Sequence, residues 1–346
     1  MYNFEENCSD VAVLWLRSME FAIAADDRSI EKYNTYMIEK HKLISESDGL
    51  EISVLTCADD VAPKAVFQIV HGMCEHKERY VPFMEFLASK GYAVVIHDHR
   101  GHGESVRSVE DLGYFYEGGW EAMIDDIRLV NRWAHDRWPE LPLVLFGHSM
   151  GSMAVRSYTK RYDDTLDALF VCGCPSFNSG AGVGKALAKA IGGLKGERHR
   201  PRLIQKIAFG SYSRNFKGET SPNCWVCSNP SIIKEYDADP LCNYVFTANG
   251  FRNLFGLMQD CYSTKGWKVS RPSIPVRFIS GADDPCLISP KAFESAVENM
   301  RRVGYSDVSG RLYQGMRHEI LNETDRQKVW DDVVATTDII VGGIMA

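Results

Sequence analysis

The sequence has no long uninterrupted hydrophobic run and no excess of positive charge, and both absences restrict what the protein can be. No stretch approaches 18 consecutive apolar residues, so we expect no membrane-spanning helix. Lysine and arginine number 39 against 46 aspartates and glutamates, which gives a net charge of −7 at pH 7. Proteins that bind nucleic acids carry a basic face, so the charge balance argues against a nucleic-acid partner.

The chain also lacks the patterns of a secreted or metal-binding protein. Its first residues are acidic, and Arg17 and Glu20 interrupt the first apolar stretch, unlike a signal peptide. We therefore expect a cytoplasmic protein whose ten cysteines are reduced. Cys224 and Cys227 have the spacing of half a zinc site, but no second Cys-x-x-Cys and no histidine pair at ligand spacing lie nearby. The sequence predicts no metal and no organic cofactor.

Short apolar runs alternate with amphipathic stretches from residue 65 onward. AVFQIVHG at 65–72 and ALFVCGC at 168–174 predict buried strands, and the apolar spacing over 119–140 predicts a helix. Unbroken apolar strands separated by helices indicate a mostly parallel sheet that is covered on both faces. The sequence therefore predicts an α/β core over 46–174 and 270–346.

Two segments depart from this alternation. Residues 175–269 contain no buried-strand pattern, and we expect an inserted, mostly helical cap or lid subdomain. Residues 1–45 are expected to form an N-terminal helical extension, in which Asp10 caps a helix with an apolar side. This helix is predicted to pack on the body or on a partner, with contact to a membrane surface as the alternative.

The stretch LFGHSMGS at 145–152 places Ser149 between a predicted strand and a predicted helix. Gly147 and Gly151 remove the β-carbons that would collide in so sharp a turn. The serine hydroxyl then projects at the carboxyl edge of the sheet, beside backbone N–H groups at a helix N-terminus. We therefore predict that Ser149 is a nucleophile.

A serine nucleophile needs a base, and the base needs an orienting carboxylate. In α/β-hydrolases both follow the serine in the chain, on loops after late strands. RFISGADDPC places Asp283 and Asp284 after one predicted strand, and RLYQGMRHE places His318 after the next. Asp284 is favoured by its offset from Gly281, with Asp283 as the alternative.

The oxyanion of such a reaction needs two donors. The loop IVHGMCEHKERY at 69–80 offers the backbone N–H of Met73, and the residue after the nucleophile offers that of Met150. Other histidines near strand ends are expected to make structural hydrogen bonds to turns. These are His71, His97, His99 and His102.

Five motifs together resemble the monoacylglycerol lipase and lysophospholipase group of α/β-hydrolases, which is also labelled serine aminopeptidase S33-like. They are HGMCEHKERY, DHRGHGES, GHSMG, SGADDP and YQGMRHEILNE, and the resemblance runs from about Asp48 to the C-terminus. It implies an α/β-hydrolase fold, a triad of Ser149, Asp284 and His318, and an oxyanion hole at Met73 and Met150. The sequence differs from the family at Met73-Cys74, where small residues are usual, and thiol reagents at Cys74 and Cys286 are predicted to inhibit.

The resulting prediction is a serine hydrolase that cleaves carboxylic esters of lipids with one acyl chain, with transient membrane contact possible. An aminopeptidase or amidase of the same fold would need carboxylates in the cap to hold a free amino group. The candidates are Glu197, Glu219, Glu235, Asp237 and Asp239. An acyltransferase would share the triad, and a non-catalytic binding protein would not need one.

Overall fold

A computed structural model describes residues 37–59 and 62–345 of the chain. These residues form an eight-stranded sheet in the order β1-β2-β4-β3-β5-β6-β7-β8. The strands are β1 (Met37–Ile44), β2 (Glu51–Ala58), β3 (Ala65–Val70), β4 (Tyr92–His97), β5 (Leu143–His148), β6 (Ala168–Cys172), β7 (Val276–Gly281) and β8 (Val308–Tyr313).

The sheet is antiparallel at one edge and parallel elsewhere. β1 pairs with β2 and β2 pairs with β4 in antiparallel fashion, whereas all pairs from β4 through β8 are parallel. β3 to β6 are buried along their whole length, because helices cover both faces. Parallel strands end at one edge of the sheet, so the loops that follow β3, β5, β7 and β8 meet there.

Nine α-helices accompany the strands within the described residues. They are α1 (Val81–Ser89), α2 (Gly119–Arg137), α3 (Met150–Tyr162), α4 (Ala181–Lys195), α5 (Arg202–Phe209), α6 (Pro230–Ala238), α7 (Ala248–Tyr262), α8 (Pro290–Val303) and α9 (Arg326–Met345). None of these helices is long and apolar enough to cross a membrane.

The predicted boundary of the N-terminal extension at residue 45 is wrong. Met37–Ile44 is a strand that pairs with β2, from Met37 opposite Ala58 to Ile44 opposite Glu51, so the core begins nine residues earlier than the predicted start at residue 46. Glu39, Lys40, His41 and Lys42 follow one another in the middle of this edge strand, so it lacks the alternation of apolar and polar residues that would have indicated a strand. The predicted helix that Asp10 would cap lies outside the described residues.

Residues 173–275 connect β6 to β7 and are called the insertion below. They contain α4 to α7 and no strand, in agreement with the helical pattern expected over 175–269. The helix α7 contacts both α4 within the insertion and α3 of the core. The cysteines from Cys57 onward are free and buried, as expected for reduced thiols.

Candidate active site

The turn between β5 and α3 holds Ser149 in an unusual backbone conformation. Its φ and ψ angles are 53° and −117°, in a region that non-glycine residues rarely adopt. A β-carbon at Gly147 would lie 2.5 Å from the carbonyl oxygen of Gly151. A β-carbon at Gly151 would overlap the carbonyl oxygens of Val70 and His71. Both glycines are therefore required for the turn that exposes the Ser149 hydroxyl.

Ser149, His318 and Asp284 are joined by two hydrogen bonds. The Nε2 atom of His318 lies 2.7 Å from the Ser149 hydroxyl oxygen, and its Nδ1 lies 2.8 Å from Asp284 Oδ2. A carboxylate can only accept, so Nδ1 donates to Asp284 and Nε2 is left to accept the serine proton. Asp284 is buried, whereas Asp283 is exposed. The geometry thus identifies Asp284, and not Asp283, as the carboxylate that contacts His318.

Asp284 is fixed by three further constraints. Its Oδ2 accepts a hydrogen bond from Ser280 at 3.2 Å, and its Oδ1 accepts one from the Cys286 N–H at 2.8 Å. A β-carbon at Gly281 would overlap the carbonyl oxygens of Met316 and Arg317, so the loops after β7 and β8 are in contact. The carboxylate therefore has little freedom to leave His318.

The loop after β3 passes directly against Ser149. A β-carbon at Gly72 would lie 3.0 Å from the β-carbon of Ser149, and Met73 lines the same cavity as Ser149 and Met150. Met150 is the first residue of α3, where the backbone N–H has no partner within the helix. Both predicted oxyanion donors thus lie beside the serine.

A buried chain of charges, not predicted from the sequence, links this loop to the loop that carries His318. Arg79 donates to Glu75 at 2.8 Å and to both carboxylate oxygens of Glu319 at 2.7 Å. Glu75 also accepts from the Gly72 N–H at 2.5 Å and contacts His148 Nδ1 at 3.1 Å. The only sequence signal was position, since Glu75 and Arg79 lie in the loop motif and Glu319 follows His318.

The charges of this chain are maintained by their partners. Burial alone would raise the pKa of Glu75, but the hydrogen bond and positive charge of His148, together with Arg79, lower it to about 2. Burial would lower the pKa of His148, but the hydrogen bond and charge of Glu75 raise it above its ordinary value. The His148 ring packs 4.9 Å from that of His318, so this network lies directly behind the proposed base.

A cavity of about 840 Å³ opens over Ser149 and His318. Most of the side chains around it are apolar, and many come from the insertion, including Leu187, Ile207 and Phe255. The Trp225 ring, also from the insertion, lies 5.1 Å from the ring of His318. The volume falls within the range of about 300–1,000 Å³ that is usual for small-molecule sites.

None of the five carboxylates predicted for an aminopeptidase lines this cavity. Glu197 pairs with Arg252, Glu219 with Arg317, and Asp239 with His76. Asp237 accepts hydrogen bonds from Ser221 and Asn223. The carboxylates that do line the cavity, Glu75 and Glu319, are both paired with Arg79.

The structure argues against one sequence prediction and corrects another. Cys74 and Cys286 are each only 5% exposed, and burial raises the pKa of both thiols well above the ordinary value, which disfavours the reactive thiolate. The ring of His97 has no hydrogen-bond partner, and burial lowers its pKa to about 3. The predicted structural hydrogen bonds to backbone groups are present for the other three histidines. These are His71, His99 and His102.

Comparison with known proteins shows the family of the chain. The family model described as serine aminopeptidase, S33, matches residues 61–325. The chain belongs to this family. The membership confirms the resemblance drawn from the motifs and the assignment to a hydrolase, and the S33 chain has the α/β-hydrolase fold that the sequence predicted.

Curated relatives and a solved structure extend the likeness. The S33 chain is 28% identical to a monoacylglycerol lipase of Mycolicibacterium smegmatis over 291 residues, which covers 83% of this chain and 92% of the relative. It is 37% identical to monoglyceride lipase of Rattus norvegicus over 267 residues, covering 75% and 77% of the two chains. A thermostable carboxyl esterase from Bacillus coagulans has the same fold, with a TM-score of 0.80, 23% identity, and coverage of 88% and 99%.

Proposed function

We propose that this S33 chain is a serine hydrolase that cleaves carboxylic esters of lipids with a single acyl chain. The observation that carries the proposal is the chain of contacts from Ser149 through His318 to Asp284 at the base of an apolar cavity. Its relatives in Mycolicibacterium smegmatis and Rattus norvegicus are named as lipases of monoacylglycerols, which supports the same substrate class.

The proposed reaction uses the two hydrogen bonds in sequence. His318 takes the Ser149 proton as the serine oxygen attacks the acyl carbonyl, and Asp284 holds the imidazole in the required tautomer. The N–H groups of Met73 and Met150 stabilise the oxyanion. The alcohol leaves with a proton from His318, and water then releases the fatty acid by the reverse path. None of these steps requires a metal or an organic cofactor.

The proposed site of membrane contact is the rim of the cavity. Val183, Leu203 and Ile207 are 74%, 61% and 68% exposed on α4 and α5, and two of them also line the cavity. Residues 176–218 contain nine lysines and arginines and a single acidic residue, Glu197, although the whole chain is acidic. An apolar rim among cations is suited to transient contact with the lipid surface from which the substrate is taken.

The deciding experiment is a series of p-nitrophenyl esters from acetyl to palmitoyl, together with a monoacylglycerol, a lysophospholipid and a panel of amino-acid anilides. We expect turnover to rise toward medium or long acyl chains and to be abolished by Ser149→Ala. Cleavage of the anilides with only weak ester turnover would instead establish the aminopeptidase. Transfer of the acyl group to an added alcohol in preference to water would instead establish an acyltransferase.

Membrane contact is tested separately with Leu203→Ser and Ile207→Ser. We expect both variants to lose activity on monoacylglycerol in vesicles and to keep it on a short soluble ester, because the change lies at the rim and not at Ser149. Equal loss on both substrates would contradict a role in surface contact.

A further inference from the structure

The contact between the insertion and the loop after β3 contains a cluster of three possible metal ligands that the proposed reaction does not use. His76 lies in the loop, and Asp239 and Cys242 lie just after α6 in the insertion. Their ligand atoms, a ring nitrogen, a carboxylate oxygen and a sulfur, all lie within 4.8 Å of one another. Two distant parts of the chain thus converge on one point.

The hydrogen bonds of His76 are difficult to satisfy without a cation. Its Nδ1 lies 2.7 Å from Glu78 Oε2, and its Nε2 lies 2.8 Å from Asp239 Oδ2. An imidazole with one proton donates at one nitrogen only, and carboxylates accept only. With one proton on the ring, one of the two contacts brings two acceptor atoms together, unless a second proton or a metal ion lies between them.

The surroundings of His76 match those of a metal-bound histidine. Histidine ligands usually donate their second ring nitrogen to a carboxylate, which fixes the tautomer and leaves the other nitrogen free for the metal. Glu78 occupies that position on Nδ1, and it is held in turn by Lys77 at 2.6 Å. The free nitrogen faces Asp239, with the Cys242 sulfur beside it.

We propose that His76 Nε2, Asp239 and Cys242 form a Zn²⁺ site, with Glu78 orienting the histidine. Nitrogen, carboxylate oxygen and thiolate sulfur are all ligands of zinc, and three protein ligands leave one position for water. The ion binds the thiolate, so the Cys242 proton is released to solvent on binding. His76 and Cys242 are buried, whereas the side chain of Asp239 is 28% exposed, so a metal ion reaches the site from solvent beside Asp239.

Such an ion fastens the insertion to the loop that carries Met73. It connects two segments separated by 163 residues in sequence, within a few residues of the proposed oxyanion donor. Metal that binds only the folded state stabilises it, so the site has a readout that is independent of ester hydrolysis.

The test uses the full chain, stripped of metal with a chelator and kept reduced. We expect one equivalent of Zn²⁺ to bind by calorimetry and to raise the melting temperature. Co²⁺ in its place is expected to give a thiolate-to-cobalt charge-transfer band. Cys242→Ser and Asp239→Asn should each abolish this band, and Glu78→Gln should weaken metal affinity about 10- to 100-fold.

The matched control is Cys286→Ser, because Asp284, Cys286 and His318 form a second histidine, cysteine and aspartate cluster. Metal binding that survives Cys286→Ser and disappears in Cys242→Ser supports the proposal. Absence of zinc uptake by the unmodified chain, a cobalt spectrum without the charge-transfer band, or loss of binding only in Cys286→Ser would each overturn it. A cobalt spectrum of the unmodified chain without the thiolate band overturns the proposal even if a variant fails to fold.

Discussion

The edge of the sheet that carries Ser149 and the exposed end of α4 in the insertion differ in how closely the backbone is packed. At the sheet edge, added β-carbons at Gly147, Gly151 and Gly281 would collide with backbone. In the insertion, β-carbons at Gly193 and Gly196 would meet nothing within 4 Å. The difference indicates that the reaction geometry depends on close backbone contacts, whereas the exposed end of α4, which lies outside the cavity, can vary without disturbing them.

The strongest test of the tightly packed edge is Asp284→Asn. The amide holds His318 in the wrong tautomer, and we expect kcat to fall about 10⁴-fold with little change in KM. The measurement is ester hydrolysis under saturating substrate. Asp283→Asn is the matched control, and it should retain full activity because its side chain is exposed and has no part in the contacts of His318. Equal loss in both variants would contradict the assignment of Asp284.

Arg79→Met tests the buried chain of charges. It leaves Glu75 and Glu319 buried without their partner, which should cost about 3–5 kcal/mol in the free energy of unfolding measured with urea. The exposed pair of Arg132 with Glu46 offers a control, since Arg132→Met should cost no more than about 1 kcal/mol. A similar small loss in both variants would show that the buried chain does not hold the two loops.

The same variant should also change how the free energy of unfolding falls at acid pH. The pKa of Glu75 is about 2 in the folded chain and 4.5 ordinarily, so its contribution is complete above about pH 4.5 and is lost as the pH falls toward 2. Without Arg79 the folded-state pKa rises, and unfolding in acid should begin at a higher pH. An unchanged fall at acid pH would contradict a depressed pKa at Glu75.

A pair of glycine substitutions compares the two regions directly. Gly281→Ala places a β-carbon against the carbonyl oxygens of Met316 and Arg317, and we expect a loss of about 1–3 kcal/mol in stability together with a loss of activity. Gly193→Ala lies in an exposed part of α4 with open space around it, and should stabilise by about 0.5–1 kcal/mol with activity unchanged. Thermal unfolding and ester hydrolysis measure both. Losses of similar size would remove the contrast between the regions.

The smallest effect is expected from thiol reagents. Iodoacetamide should leave ester hydrolysis almost unchanged, because Cys74 and Cys286 are buried thiols. Rapid inactivation that the Cys74 and Cys286 double serine variant resists would show that the structure understates their access to solvent.

Local pattern and chain order were sufficient to predict the fold and the three contacting residues. Ser149 was recognisable because its turn requires glycines at fixed offsets, and His318 because it follows a late strand. The ion pair of Arg79 with Glu319 joins residues 240 apart, and no local pattern encodes such a pairing. β1 was missed because an edge strand tolerates consecutive charged residues, which hide the alternation that indicates a strand.

The positive φ of Ser149 also limits which chemistries can arise at this position by a single substitution. A β-branched residue is a marked outlier at φ near 53°, so threonine cannot take over the attack even though it carries a hydroxyl. Cysteine and aspartate have no second heavy atom on the β-carbon, so both preserve the turn together with a nucleophile. A single substitution at this position can therefore exchange the hydroxyl for a thiol, which forms a thioester with the acyl group, or for a carboxylate.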